Sequence, residues 1–166
     1  MKKATIRLIK VYDSALVPSY VHGANEDAGM DLHAIEYTDV DAGKWVDVAT
    51  GLMIELPPGL EAQIRPRSGL AVRHGLTLLN SPGTIDPGYR GEIRVLLINH
   101  GSDTYTIKPG DRIAQLVVSP YVQVEWDMGG SLTPSDRGCG GFGSTGTWAS
   151  RGWMSTGHLQ SECWPL

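Results

Sequence analysis

Nowhere does this chain keep the apolar period of a helix over about 11 residues, and that absence constrains its fold most. Its aliphatic and β-branched residues come in short runs instead: 4–11 ("ATIRLIKV"), 45–49 ("WVDVA"), 60–64 ("LEAQI"), 92–98 ("EIRVLLI") and 112–118 ("RIAQLVV"). Each run is bounded by Gly, Pro, Asp or Asn, as strands usually are. Glycine (21) and proline (10) are abundant for 166 residues, which suits many short strands joined by tight turns. Turn signals recur at "LPPG" (56–59), "SPGTIDPG" (81–88) and "KPGD" (108–111). One short helix is predicted over 68–75 ("SGLAVRHG"), centred on 69–74, with Ser68 as its cap and Gly75 as its stop. The pattern is all-β, a barrel or a sandwich.

The chain is long enough for one domain with its own core. Hydrophobic residues at 41% and charged ones at 19% fit a soluble globular protein. A formal charge of −4 argues against a general nucleic-acid binder, although arginines converging on one pocket can still hold a polyanion. No apolar run approaches the length of a membrane span, and "MKKATIRLIKVYD" alternates like a strand rather than a signal peptide. Cys139 and Cys163 make no framework of the secreted type, so two reduced thiols in a cytoplasmic protein are expected. From Asp127 apolar content almost vanishes. The expected organisation is a β domain over 1–126, a flexible arm over 127–146 and a disordered tail over 147–166.

Several polar stretches carry chemistry. "RGCGGFGSTG" (137–146) fits the glycine spacing of a dinucleotide fingerprint, but no strand precedes it and no helix follows. It also fits P-loop spacing, but Thr147 and Trp148 replace the required Lys-Ser/Thr pair. What survives is a donor-rich segment: amides and the Ser144 and Thr145 hydroxyls for anionic oxygens, Arg137 as a charged fork, and Phe142 as a flat face for a base. A plain disordered tail is the competing reading.

"PRSGLA" (66–71) sets Ser68 and Arg67 at a helix start, which serves equally as a phosphate seat or an ordinary cap. In "NSPGTIDPGYRGE" (80–92) two Pro-Gly pairs predict a β-hairpin with Asp86 and Tyr89 at its tip, either simple turn chemistry or a pocket wall. "AGMDLHA" (28–34) places Asp31 in an apolar segment, where an acid must be exposed, paired or serving a cation. "GDRIAQL" (110–116) reads as a turn followed by a strand carrying Gln115. The five histidines show no metal spacing and no Ser-His-Asp set stands out, whereas Mg²⁺ held mainly by substrate phosphates needs only a carboxylate or two.

Taken in order, "AGMDLHA", "PRSGLA", "GTIDPGYRGE", "GDRIAQL" and "RGCGGFGSTG" resemble the five motifs of the trimeric dUTP pyrophosphatase (dUTPase) family. The resemblance spans residues 4 to 146, and five motifs in order are highly specific. It implies a jelly-roll-like β-barrel, a homotrimer with active sites shared between subunits, and a C-terminal arm that closes over each site. It implies hydrolysis of dUTP to dUMP and pyrophosphate with Mg²⁺, which limits uracil in DNA and supplies dUMP for dTMP synthesis. By matched motif, Asp86 positions and deprotonates the attacking water, and Tyr89 packs on the deoxyribose. The backbone of Gly83, Thr84 and Ile85 reads uracil near Asn80. Arg67, Ser68, Gly69 and Gln115 contact the phosphates, and Asp31 reaches magnesium through water. Arg137 holds the γ-phosphate, Phe142 with Gly143 covers the base, and Ser144 and Thr145 finish the clamp.

Two alternatives stand beside this. A dCTP deaminase of the same fold needs a glutamate about where Leu96 stands, and a dUTP-sensing regulator would bind without turnover.

Overall fold

A computed structural model describes residues 3–141 and divides the chain into two units, Met1–Val124 and Glu125–Leu166. The first contains eleven short strands and one helix. They are β1 (Arg7–Lys10), β2 (Met30–His33), β3 (Thr38–Val40), β4 (Trp45–Ala49), β5 (Leu52–Glu55), β6 (Leu60–Arg65), β7 (Leu76–Leu78), β8 (Gly83–Ile85), β9 (Arg94–Asn99), β10 (Tyr105–Ile107) and β11 (Arg112–Pro120), with α1 (Ser68–His74) between β6 and β7. The strand pairs are antiparallel and fall into four sheets: β1-β5, β10-β3, β2-β11-β6-β8 and β4-β9-β7. Mostly β with one short helix, this is a jelly-roll-like arrangement, as the resemblance implied.

Strand alternation builds the core. Along β9, Val95, Leu97 and Asn99 are buried while Arg94 is exposed, and on β6 Ala62 and Ile64 turn inward. Leu32, Leu52, Leu76, Ile93, Leu97, Ile107 and Ile113 lose nearly all contact with solvent. Each such side chain contributes roughly 2 kcal/mol of burial. Asn99 is buried too, and its amide is satisfied: Nδ2 donates to the Val40 and Asp103 carbonyls, each at 2.8 Å, and Oδ1 accepts from the Gly101 amide. A buried amide with its partners in place joins three segments at little cost.

The predicted helix is present, but its cap is Arg67 in an extended conformation, and no side chain caps it. Ser68 is instead its first helical residue. Gly75 ends α1 with φ +67°, and a Cβ there would stand 2.6 Å from the Gly101 amide nitrogen, so two conditions demand glycine.

The predicted β-hairpin over 80–92 is corrected. β8 pairs with β6, whereas β9 pairs with β4 and β7, so residues 86–93 pass from one sheet to another. Pro87 has no N–H to continue a ladder, and β8 stops two residues before it. The Ser81–Pro82 peptide is cis.

The described part of the second unit is exposed except for half-buried Gly140, with a turn around Asp136–Cys139. The Gly138 amide donates to the Ser135 carbonyl, and Arg137 Nε donates to the Gly140 carbonyl at 2.8 Å. Cys139 is disulfide-bonded, which corrects the expectation of a reduced thiol at that position, and Cys163 lies outside the described residues. Among the described residues no helix is long and apolar enough to cross a membrane.

Candidate active site

The four-stranded sheet gathers the ends of four motifs. Asp31 on β2 lies directly opposite Gln115 on β11, and Gln115 lies opposite Arg65 on β6. Two residues beyond the end of β6, Arg67 turns back toward this row. Asp31 is 3% exposed, so its charge needs partners. It has three: Arg67 Nε at 3.3 Å, Arg112 Nη1 at 3.4 Å and Gln115 Nε2 at 3.5 Å. Of the three fates open to a buried acid, this one is paired. Arg67 Nη1 also donates to the Arg112 carbonyl at 3.0 Å, and its Nη2 has no partner among the described residues. Two guanidiniums against one carboxylate leave the cluster positive, with donors to spare for an anion. Gly29 allows this closeness, because a Cβ there would press on the Gln115 side chain at 3.3 Å.

β8 borders the same sheet, with Gly83 opposite Ile64, Thr84 opposite Gln63 and Ile85 opposite Ala62. Asn80 stands beside this strand, since a Cβ on Gly83 would lie 3.2 Å from Asn80 Nδ2. Asp86 follows at once and is exposed. Its carbonyl accepts from the Tyr89 amide at 3.1 Å, closing a tight turn. The Tyr89 hydroxyl donates to the Glu92 carbonyl at 2.9 Å. Any side chain on Gly91 would collide with the Tyr89 ring and hydroxyl, so glycine gives the ring its seat.

Not every expected residue converges. Among the described residues, no hydrogen bond or ion pair links Asp86 to the Asp31 cluster. Ser68 is exposed at the start of α1, and the Gly69 carbonyl accepts from Arg73 Nε at 3.1 Å. Arg137 belongs to the second unit. Phe142, Gly143, Ser144 and Thr145 lie outside the described residues.

Three residues escaped the sequence reading. Arg112 completes the Asp31 cluster. Glu92 accepts from the Gly51 amide at 2.7 Å and faces Arg94 Nη1 at 3.3 Å, anchoring the far end of the crossing segment. Arg90 donates to carbonyls of the Asp86–Tyr89 turn. All three stood inside quoted motifs, and only their neighbours were weighed.

No group of three or more His, Cys, Asp or Glu side chains among the described residues could hold a metal. Asp31 is a single carboxylate already facing two guanidiniums. Such a donor set does not build a protein-held metal site. It fits a cation that arrives with its own oxygen ligands and meets Asp31 across a water.

His33, opposite Arg112 in the ladder, has a buried Nδ1 without a partner among the described residues. Burial pushes its pKa below the usual 6.5; the Asp31 charge opposes this, and those of Arg112 and Arg67 reinforce it. The unfolded chain therefore takes up this proton first. Stability is whole above about pH 6.5 and falls as pH drops toward the folded-state pKa. Urea midpoints should decrease between pH 7.5 and pH 5.5, and His33→Leu should flatten that decrease. An unchanged slope in the variant would assign the effect elsewhere.

Comparison with known proteins bears on what this site serves. The dUTPase family model matches residues 17–146. A deoxyuridine 5'-triphosphate nucleotidohydrolase of Solibacter usitatus is 57% identical over 141 residues, covering 85% of this chain and 95% of that protein. Its counterpart in Gloeothece citriformis is 50% identical over 141 residues, covering 85% and 96%. The fold is similar to that of a Staphylococcus bacteriophage 80alpha dUTPase variant solved with dUpNHpp (TM-score 0.78, 22% identity, 87% of this chain and 99% of that one). It is also similar to a dUTPase variant from phage phi11 of S. aureus described with a structural Mg(II) ion (TM-score 0.72, 22% identity, 79% and 100%). With the match running from before β2 through the glycine-rich arm, the chain belongs to the dUTPase family.

Proposed function

We propose that this chain hydrolyses dUTP to dUMP and pyrophosphate. The observation that carries the reading is the Asp31–Gln115 pairing of β2 with β11, where buried Asp31 meets Arg67 and Arg112 in a net-positive cluster on the same sheet that has β8, the strand before Asp86, at its edge. Arg67, Gln115 and the amides at Ser68 and Gly69 hold the phosphate chain. The turn after β8 carries the base: Asp86 orients a water and takes its proton as the water oxygen attacks the α-phosphorus. The bond from that phosphorus to the β-bridging oxygen breaks, and pyrophosphate leaves. A carboxylate is a weak base, so the rate depends on orientation more than on proton affinity.

Asp31 would meet, through water, the Mg²⁺ that would arrive with the triphosphate and neutralise part of its charge. Gly83, Thr84, Ile85 and Asn80 read the uracil edge, where leaving a polar group unpaired rejects cytosine. Tyr89 faces the sugar and leaves no room for a 2′-hydroxyl. The arm supplies Arg137 for the γ-phosphate, Phe142 and Gly143 over the base, and Ser144 and Thr145 as closing donors. The assembly is a homotrimer in which neighbouring subunits complete each site.

The test is a substrate panel of dUTP, dCTP, dTTP and UTP with Mg²⁺, read for pyrophosphate and ammonia. Pyrophosphate from dUTP, with at least about 100-fold lower kcat/KM for the other three, is the expected result. Ammonia from dCTP, or no turnover of dUTP, would overturn the reading.

A further inference from the structure

The turn that carries Asp86 and Tyr89 has little packing to hold it. Asp86 is exposed, Tyr89 is 45% exposed, and nothing stands within 4 Å of where a Cβ on Gly88 would lie. Its position therefore rests on polar ties. Arg90 makes two of them: its Nη1 donates to the Pro87 carbonyl at 2.6 Å and to the Tyr89 carbonyl at 2.8 Å. The same guanidinium reaches Glu55 at the end of β5 through Nη2, at 3.4 Å. Glu55 is in turn held from the neighbouring strand, where its register partner Arg7 places Nη1 2.9 Å from its other oxygen.

We propose that Arg90, braced by Glu55, is a positioning residue that fixes the orientation of the Asp86–Tyr89 turn on the barrel. Both carbonyls belong to peptide planes of the turn, so clamping them sets where the Asp86 carboxylate and the Tyr89 ring point. A planar guanidinium suits the task, because two protons of one nitrogen reach two carbonyls while the other nitrogen faces the brace. As ion pairs the exposed Arg7–Glu55–Arg90 contacts are worth little to stability. Their consequence is geometric, and near-attack geometry is where small displacements are costly. This inference rests on the proposed dUTP hydrolysis.

The experiment compares wild type, Arg90→Met, Arg90→Lys, Glu55→Gln and Asp86→Asn for kcat, KM and the dUTP-to-UTP ratio of kcat/KM, with unfolding followed in parallel. Arg90→Met should lower kcat/KM for dUTP about 10-fold, mostly in kcat, and narrow the dUTP-to-UTP ratio by about fivefold. Arg90→Lys should recover part of both, and Glu55→Gln should fall between wild type and Arg90→Met. A loss that follows unfolded protein with the substrate ratio unchanged assigns Arg90 a purely structural part and overturns the inference. So does an Arg90→Met enzyme within twofold of wild type while Asp86→Asn is inactive. Absence of dUTP turnover in wild type itself sinks the hydrolase reading instead.

Discussion

Replacing Asp86 by asparagine should lower kcat for dUTP by about 10³-fold, within the range general-base groups contribute, while a non-hydrolysable dUTP analogue binds within about threefold of wild type. The fold gives this substitution an unusually clean background. The Asp86 side chain has no hydrogen-bond partner among the described residues, and the turn is closed by its carbonyl accepting from the Tyr89 amide. Asparagine keeps that carbonyl, the side-chain shape and a polar tip, and gives up the negative charge together with the ability to take a proton. The Asp31 cluster shares no hydrogen bond with Asp86 among the described residues, so phosphate binding should survive. Removing one negative charge near a triphosphate should tighten binding slightly. Pyrophosphate release with calorimetric binding separates these effects. A variant turning over within tenfold of wild type would show that Asp86 is not the base.

How far the site could be read before the structure depends on whether its parts are local. β4 falls on Trp45–Ala49, the short apolar run the sequence marks out, and α1 ends at Gly75 because glycine reaches a positive φ without strain. Both are decided within a few residues. The Asp31 cluster is not, since its members stand 81 and 84 residues apart along the chain. A sequence shows that a buried acid must have a partner, but not which one, because register between distant strands comes from packing and turns. Arg112 opens an exposed strand end, where an arginine ordinarily reads as a solvated face. The hairpin misreading has the same origin. Two Pro-Gly pairs state that the chain must turn, and whether the next strand joins the same sheet is settled by what β6 and β4 offer as partners. β2, β3, β5, β7, β8 and β10, at three or four residues each, are too short for alternation to stand out from chance.

Ending the chain after Asp136 should leave thermal unfolding unchanged and lower kcat/KM for dUTP by about 100-fold. The first half follows from where the core lies. Among the described residues the buried apolar side chains run from Ala15 to Leu116, and none of them belongs to the second unit. Removing Arg137 onward therefore takes away none of the core side chains and none of the sheet strands seen among the described residues. The second half follows from what the proposed reaction loses. An arginine hydrogen-bonded to a phosphate is worth about 1.5–3 kcal/mol, and a base stacked on an aromatic ring about 1–3 kcal/mol. Part of that is spent ordering a glycine-rich segment, which has more backbone freedom to lose than any other composition. A net of roughly 2.7 kcal/mol corresponds to the stated factor. Arg137→Ala in the full chain should show a smaller fall, about 10-fold, because the ring over the base remains. The contrast between the two proteins is the informative quantity. Equal losses would place the whole contribution on the arginine, and a truncated protein as active as the full chain would remove the arm from the site altogether.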